Sequence, residues 1–223
     1  MSFTDHIIYV VDDDRRVRES IDNLLSSFGF RVMLFASAAQ YVESAKLDVP
    51  ACLILDVELP DINGLDLQQE LAAVPHPPIV FITGHGDIPS SVRAMKAGAV
   101  DFLSKPFQPD VLVAAVNSAL ANDREARAVR SDLRLLRSRY SLLTPREREV
   151  FPLIVRGLLN KQAASQLGIS IVTLQIHRSK IMHKMAADSL AGLVRMSTKL
   201  GISVETSPVQ QPEVSRIKRR WNE

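Results

Sequence analysis

The chain has 223 residues, a length that suits two modest domains better than one. Its hydrophobic fraction of 46% is sufficient for packed cores and excludes a wholly disordered protein. The sequence contains neither an apolar stretch of ~18 residues, the length of a membrane span, nor a basic N-terminal segment of the kind that opens a signal peptide. We therefore expect a cytoplasmic protein without membrane contact, in which the single cysteine, Cys52, is a buried apolar residue.

Charge is distributed unevenly along the chain. Residues 1–120 contain 8 Lys and Arg against 16 Asp and Glu, whereas residues 121–223 contain 19 against 9. An acidic half joined to a basic half predicts a regulatory or metal site in the first half. It also predicts an anionic polymer, namely nucleic acid, as the partner of the second half.

Short apolar segments of the first half end in polar residues. Ala51–Asp56 is the clearest, because five apolar residues lead without interruption into one carboxylate. Such a segment is typical of a strand buried on both faces of a parallel sheet. Four segments of this kind end, in chain order, in Asp12–Asp14, Asp56, Thr83 and Lys105. With a further strand at 31–35, they predict a flavodoxin-like, doubly wound α/β domain over residues 1–121, with five parallel strands and five helices.

The carboxyl ends of parallel strands meet at one edge of the sheet, so these polar side chains are expected to share one crevice. Each has an ordinary structural explanation alone, but their combination favours a site. Clustered carboxylates repel one another unless a hard cation lies between them, and Mg²⁺ prefers carboxylates, waters and phosphate oxygens. With Mg²⁺ held by Asp12 or Asp13, Asp56 can attack phosphorus and form an aspartyl phosphate. Thr83 can donate a hydrogen bond to a phosphoryl oxygen, and Lys105 can bind another.

Four motifs occur together in this half: Val10–Asp14, Leu55–Asp56 with Pro60 and Gly64, Thr83–Gly84, and Lys105–Pro106. They resemble the receiver domain of bacterial two-component response regulators, and the segments around Thr83 and Phe102 are most similar to the FixJ-type subgroup. The resemblance implies that a sensor histidine kinase phosphorylates Asp56, that Thr83 and Phe102 form a switch, and that the bond before Pro106 is cis. The Mg²⁺ ligands that it implies are Asp12, Asp13, Asp56 and the backbone of Glu58.

A single long helix is predicted to leave this domain, because no Gly or Pro occurs between Asp110 and Tyr140. Its continuation at 122–140 is expected to be a linker. Apolar residues of the linker follow heptad spacing over about two heptads, at Ala126, Val129, Leu133, Leu136 and Tyr140. The pattern leaves two interpretations open: an amphipathic helix that rests on the second domain, and a coiled coil that forms a dimer.

A second, all-α domain is predicted at 141–203. Thr144 as N-cap, Pro145 at the first helical position and Glu147 at the third form a capping box. Pro152 lies inside this first helix and is expected to kink it. Three further helices are predicted to begin after Asn160, Ser170 and either Asp188 or Ser189, and to end near Leu167, Met185 and Gly201. The Gly-containing turn between the first two of these gives a helix-turn-helix arrangement.

The second half also contains a group of motifs: Leu143–Glu147, Gly157, Asn160–Lys161, Leu167–Ser170, Thr173, His177–Arg178 and Lys184–Met185. Together they resemble the LuxR-type four-helix DNA-binding domain, which implies promoter DNA as a partner. Pro152, Gln162, Ala163 and Gln175 depart from the family's pattern. Since a base-reading Lys is common where Gln175 stands, the resemblance does not imply a sequence preference.

The helix after Ser170 is predicted to read DNA. At 100° per residue, Leu174 and Ile181 point in one direction, toward the core. The residues predicted to contact DNA are Lys161, Thr173, Gln175, Ile176, Ser179, Lys180, His183 and Lys184. Gln175 can bond adenine and Ile176 can touch thymine methyls, whereas the lysines are expected to contact phosphates. In an alternative rotation of the helix, Val172 and Ile176 on this reading face pack inward.

These features predict a response regulator rather than an enzyme: a transcription factor in which Mg²⁺-dependent phosphorylation of Asp56 controls dimerisation and DNA binding. The expected partners are a sensor histidine kinase, promoter DNA, a second phosphorylated copy and RNA polymerase. One rival class is a Mg²⁺-dependent phosphohydrolase with an aspartyl-phosphate intermediate, in which Glu58 would be the acid and base. Another is a constitutive DNA binder whose receiver is only a scaffold. Residues 204–223, with the basic cluster Arg216–Trp221, are expected to form a flexible tail.

Overall fold

In this computed structural model, which describes residues 6–202, five strands form the sheet of the first unit. They are β1 (Ile7–Val11), β2 (Val32–Phe35), β3 (Ala51–Asp56), β4 (Ile79–Thr83) and β5 (Asp101–Ser104). They alternate with α1 (Arg15–Ser27), α2 (Ala38–Glu43), α3 (Gly64–Leu71), α4 (Ile88–Lys96) and α5 (Pro109–Ser141). All strands are parallel, in the order β2-β1-β3-β4-β5. The predicted doubly wound α/β fold is confirmed.

Both faces of the sheet are covered, which explains the unbroken apolar strands. Successive strand residues point to opposite faces. Tyr9 and Leu53 are therefore buried in a cluster on one face, and Val10 and Ile54 in a cluster on the other. Since every residue of β1, β3 and β4 is buried, these strands do not alternate with polar residues. Cys52 is fully buried within β3, as predicted.

Helix α5 runs without interruption over 33 residues, as the lack of Gly and Pro predicted. The boundary between the two compact units of the chain falls within it, after Val129. Contacts of the first unit extend beyond residue 121. The buried Asp123 carboxylate accepts hydrogen bonds from Ala51 N at 2.9 Å and from Arg127 Nε at 2.7 Å, so this part of α5 is fixed to the start of β3.

The C-terminal part of α5 packs within the second unit. Leu136 is buried, and the ring of Tyr140 meets that of Phe151 edge to face, with centroids 5.4 Å apart. These contacts support the interpretation of an amphipathic helix that rests on the second domain. Val129, at the other end of the heptad pattern, is 62% exposed, and the dimeric coiled coil stays a prediction.

The helical core of the second unit is enclosed by α6 (Pro145–Val155), α7 (Asn160–Leu167), α8 (Ile171–Met185) and α9 (Leu190–Lys199). The predicted capping box at Thr144 is formed, and α6 continues through Pro152. Ser170 caps α8, and Ser189 rather than Asp188 caps α9. No helix within residues 6–202 combines the length and apolarity of a membrane span. The tail predicted at 204–223 lies outside the described residues.

The predicted cap of α7 is wrong. Leu159 occupies the N-cap position, and Asn160 is the first helical residue. Gln162 Oε1 accepts a hydrogen bond from Leu159 N at 3.0 Å, so a side chain of the first turn closes the helix start. Asn160 Oδ1 instead accepts a hydrogen bond from Arg178 Nη1 at 3.1 Å, which joins α7 to α8.

Candidate phosphoacceptor site and nucleic-acid interface

Three charged side chains meet at the carboxyl edge of the sheet. Asp56 is the last residue of β3, Asp12 follows β1, and Lys105 follows β5. Lys105 Nζ donates hydrogen bonds to Asp12 Oδ2 at 2.6 Å and to Asp56 Oδ2 at 2.7 Å. Asp12 is fully buried and Asp56 is 4% exposed, so both carboxylates depend on the ammonium for compensation of their charge. The peptide bond before Pro106 is cis, as the resemblance implied.

At this site, burial and neighbouring charges shift the pKa values of the side chains in opposite directions. Burial raises the pKa of the Asp12 carboxyl above its ordinary value, and the neighbouring Lys105 ammonium opposes but does not cancel the shift. Burial alone would lower the pKa of Lys105, but the hydrogen bonds to Asp12 and Asp56 outweigh it and raise this pKa. The lysine is therefore charged at neutral pH, and the buried acids lie where a further cation would stabilise them.

The acidic cluster fits a divalent cation. Carboxylate oxygens of Asp12, Asp13 and Asp56 lie within 4.8 Å of one another. This set of hard oxygen donors is the kind that Mg²⁺ accepts, since the ion takes one or two carboxylates and completes its shell with water and phosphate oxygens. Asp13 is exposed, so the cluster is accessible from solvent on that side.

The backbone after Asp56 is fixed beside the carboxylates. Glu58 N donates a hydrogen bond to Asp56 Oδ1 at 3.2 Å, and Glu58 pairs with Asn63 across an antiparallel bridge. Gly64 N closes the loop by donating to Val57 O at 2.8 Å. A Cβ atom at position 64 would overlap the carbonyl oxygen of Asp56, so the close approach of α3 to β3 requires glycine there.

Thr83 and Phe102 occupy neighbouring strands near this edge. Thr83 is fully buried at the end of β4, and its hydroxyl donates to His85 O at 3.2 Å and accepts from His85 N at 3.1 Å. Phe102 is half-buried on β5 opposite Phe81, and their ring centroids are 6.1 Å apart. In this structure the Thr83 hydroxyl thus bonds the loop after β4 and not Asp56.

His85 makes a contact with Glu58 that the sequence did not predict. Its Nδ1 atom lies 3.3 Å from Glu58 Oε1, and both side chains are exposed. In the sequence, His85 is only one residue of the segment around Thr83 that resembles the FixJ-type subgroup. Its proximity to Glu58 depends on β3 and β4 being neighbours, and no local pattern reports that contact.

The exposed face of α8 is the one predicted to read DNA. Leu174 and Ile181 are fully buried, whereas Val172 is 65% and Ile176 50% exposed. The alternative rotation, in which the apolar residues of this face pack inward, is therefore wrong. The other exposed members of the predicted set are Lys161, Gln175, Ser179, Lys180 and His183. Thr173 is half-buried, and its hydroxyl lies 2.8 Å from Ser170 Oγ at the start of the helix.

Lys184 has partners inside its own unit. Its Nζ atom donates to Glu147 Oε2 at 2.6 Å and to Leu142 O at 3.0 Å. Glu147 is 2% exposed and also accepts from Thr144 N at 2.8 Å. Residue 184 lies three positions after the buried Ile181, on the same side of the helix, but helical spacing alone does not identify Glu147 as its partner.

The two units together define a class of protein. DNA-binding response regulators combine, in one chain, a receiver fold with an acidic phosphoacceptor site at the edge of its sheet and a helix-turn-helix fold. The model of the response regulator receiver domain matches residues 8–117, and that of the bacterial regulatory proteins of the luxR family matches residues 141–197. Together with the relatives below, these matches show that the chain belongs to the two-component response regulators with a LuxR-type DNA-binding domain. It is a transcription regulator of that family.

Similar proteins cover nearly the whole chain. Nodulation protein W of Bradyrhizobium diazoefficiens is 50% identical over 201 residues, which cover 90% of this chain and 88% of that protein. Response regulator protein TodT of Pseudomonas putida is 41% identical, with 92% and 91% covered. Among solved structures, response regulator StyR superposes with a TM-score of 0.78 at 45% identity, over 88% of this chain and all of that one. Full-length FixJ from B. japonicum superposes with a TM-score of 0.53 at 38% identity, over 91% of this chain and all of that one.

Proposed function

We propose that this regulator is cytoplasmic, that a sensor histidine kinase phosphorylates it on Asp56 with Mg²⁺ as cofactor, and that phosphorylation promotes dimerisation and promoter binding. The observation that carries the proposal is the Lys105 ammonium between the Asp12 and Asp56 carboxylates, 2.6 and 2.7 Å away. Phosphoryl transfer to aspartate requires a nucleophilic carboxylate, a fixed cation and further carboxylates that hold a metal ion.

Asp56 acts as the nucleophile. One of its carboxylate oxygens attacks phosphorus while the bond from phosphorus to the leaving group breaks. Hydrogen bonds from Glu58 N and from Lys105 orient the carboxylate before the reaction. After transfer, the Lys105 ammonium, which lies 2.7 Å from Asp56 Oδ2 before the reaction, would donate to a phosphoryl oxygen. When bound, Mg²⁺ supplies the charge that neutralises the acidic cluster and the phosphoryl oxygens.

A groove beside Lys105 supports docking of the kinase. It has a volume of about 480 Å³ and is lined by Arg16, Val17 and Ile21 of α1 and by Lys105, Pro106 and Phe107. The lining combines apolar side chains with the charged Arg16 and Lys105, a composition that suits the amphipathic surface of a helical partner. A kinase seated there would present its phosphohistidine next to Asp56.

A small-molecule phosphodonor tests the proposal against the phosphohydrolase alternative. The phosphohydrolase would need Glu58, two residues after Asp56, as its acid and base. The Glu58 carboxylate contacts His85 at the surface. We expect the wild type, with Mg²⁺, to gain the mass of one phosphoryl group and to leave a phosphomonoester such as p-nitrophenyl phosphate intact. Turnover of the monoester without a stable adduct would favour the hydrolase.

Phe102→Ala is expected to leave phosphorylation intact and to uncouple it from DNA binding. Phosphorylation would draw the Thr83 hydroxyl away from His85 toward the phosphoryl group, and Phe102 would turn into the space that opens. The measurement is the ratio of DNA affinities with and without phosphodonor. An ordinary core Phe would instead give a less stable protein with the ratio unchanged, and that outcome would remove Phe102 from the mechanism.

Gln175→Ala and Lys161→Ala are expected to weaken DNA binding in different ways. Gln175 is exposed on the reading face, and its amide can bond adenine N6 and N7, so its loss should cost about 1–3 kcal/mol on the preferred site alone. Lys161 is exposed at the start of α7, and its loss should weaken binding to all DNA sequences alike. It should also lower the slope of log affinity against log salt concentration by about 1.

Binding isotherms on a selected duplex and on random DNA, at several salt concentrations, separate the two effects. Lys161→Ala serves as the control that changes charge without changing base readout. Equal weakening of specific and random DNA by Gln175→Ala would show that Gln175 reads no base.

A further inference from the structure

One carboxylate of the loop after Asp56 reaches a distant helix. Asp61 Oδ2 accepts a hydrogen bond from Ala39 N at 2.9 Å, and Oδ1 accepts one from Ala38 N at 3.4 Å, across 22 and 23 residues of sequence. Partial burial would raise the pKa of Asp61, but the backbone hydrogen bonds outweigh it and lower this pKa. The carboxylate is therefore ionised and bound to the first turn of α2.

Helix α2 has a second cap of its own. Ser37 occupies the N-cap position, and its hydroxyl accepts a hydrogen bond from Gln40 N at 3.3 Å. Ser37 and Asp61 thus satisfy different backbone N–H groups of the same first turn. The two side chains differ in one respect: Ser37 is adjacent to the helix, whereas Asp61 belongs to the loop between β3 and α3.

That loop carries the backbone atom implied as a metal ligand. Its base is closed by the bond from Gly64 N to Val57 O and by the bridge between Glu58 and Asn63. Among the backbone hydrogen bonds of turns and loops within residues 6–202, none ends on the Glu58 carbonyl oxygen, the atom that the resemblance implies as a metal ligand. The far end of the loop is held to the rest of the unit through Asp61.

We propose that Asp61 is a positioning residue for the Mg²⁺ site. By tying the loop at 57–63 to the first turn of α2, it fixes the position of the Glu58 carbonyl relative to Asp12 and Asp56. The proposal rests on the Mg²⁺ site of the proposed function. Groups that orient metal ligands commonly change metal affinity by about 10–100-fold when they are removed.

Asp61→Ala and Ser37→Ala form a matched pair for the test. Both remove a cap from the first turn of α2, so both should lower the melting temperature by a similar amount. Only Asp61→Ala releases the loop, and we expect it alone to raise the dissociation constant for Mg²⁺ by about tenfold. Calorimetric titration of the full chain with Mg²⁺, without phosphodonor, measures this constant independently of phosphorylation.

The outcomes separate this inference from the function on which it rests. A wild type that binds no Mg²⁺ would overturn the proposed metal site itself. A wild type that binds Mg²⁺, with equal dissociation constants for Asp61→Ala and Ser37→Ala, would overturn the role of Asp61. If Asp61→Ala does not fold, Asp61→Asn, which keeps one acceptor oxygen, replaces it. Its dissociation constant should still exceed that of Ser37→Ala, and equality would contradict the proposal.

Discussion

Asp56→Asn is expected to abolish phosphorylation. The amide has the shape of the carboxylate, and its one oxygen can keep the hydrogen bond from either Glu58 N or Lys105, so the fold should be retained. It lacks the negative charge and the nucleophilic oxygen that attack phosphorus. After incubation with Mg²⁺ and a small phosphodonor, intact-mass spectrometry should find one added phosphoryl group on the wild type and none on the variant.

Asp66→Asn is the matched control for this substitution. Asp66 is an exposed carboxylate in the first turn of α3, where it pairs with Arg93 and not with the acidic cluster. Its variant should be labelled as fully as the wild type, and a chelator should prevent labelling of both. Labelling of Asp56→Asn to the same extent as the wild type would disprove the assignment of the phosphoacceptor.

Lys184→Met is expected to lower the free energy of unfolding of the second unit by about 3 kcal/mol. Methionine retains much of the aliphatic side chain but removes the ammonium that pairs with Glu147 at 2.6 Å. The Glu147 carboxylate, 2% exposed, would then lie buried without its cation, which is the costly way to break a buried ion pair. Scanning calorimetry of the full chain should show the transition of the second unit at lower temperature.

Lys180→Met provides the control on the same helix. Lys180 is exposed, so its substitution should change the unfolding free energy by no more than about 0.5 kcal/mol while it weakens binding to DNA of any sequence. If Lys184→Met weakened DNA binding and left the calorimetric transition unchanged, Lys184 would be the phosphate contact that its sequence position predicted.

The ion pair between Lys184 and Glu147 makes the stability of the second unit depend on pH. Burial would raise the pKa of Glu147, but hydrogen bonds from Lys184 and Thr144 outweigh it and lower this pKa below the ordinary value. A lowered pKa in the folded state means that the contribution to stability is present above about pH 4.3, the pKa of an unfolded Glu. It is lost as the pH falls through the lowered value, because the protonated carboxyl no longer pairs with the ammonium.

The strands and the meeting of Asp12, Asp56 and Lys105 could be predicted from the sequence. Burial on both faces of a parallel sheet leaves unbroken apolar segments, as in β1 and β3, and parallel strands bring their last residues to one edge. The direction of α8 followed equally from helical spacing, since Leu174 and Ile181 are buried and Val172 is exposed.

Contacts between distant segments could not be predicted in this way. Lys184 was assigned to phosphate because it is a lysine on a DNA-reading helix, but its ammonium lies beside Glu147, 37 residues earlier. Asn160 has the composition of a cap, yet the Gln162 side chain closes the helix start. Asp61 gave no sign in the sequence that it reaches α2. Each of these outcomes depends on which neighbours the completed fold supplies.

The central claim, that phosphorylation of Asp56 controls DNA binding, is tested most directly by one affinity measurement. A duplex selected from random DNA is titrated with wild type and with Asp56→Asn, each with Mg²⁺ and with or without phosphodonor. Coupling between sites in regulated proteins is typically about 5–150-fold, so the phosphodonor should tighten binding of the wild type by at least about fivefold and leave Asp56→Asn unchanged. Equal affinity of the wild type with and without phosphodonor, at full labelling, would contradict the claim and identify a constitutive DNA binder.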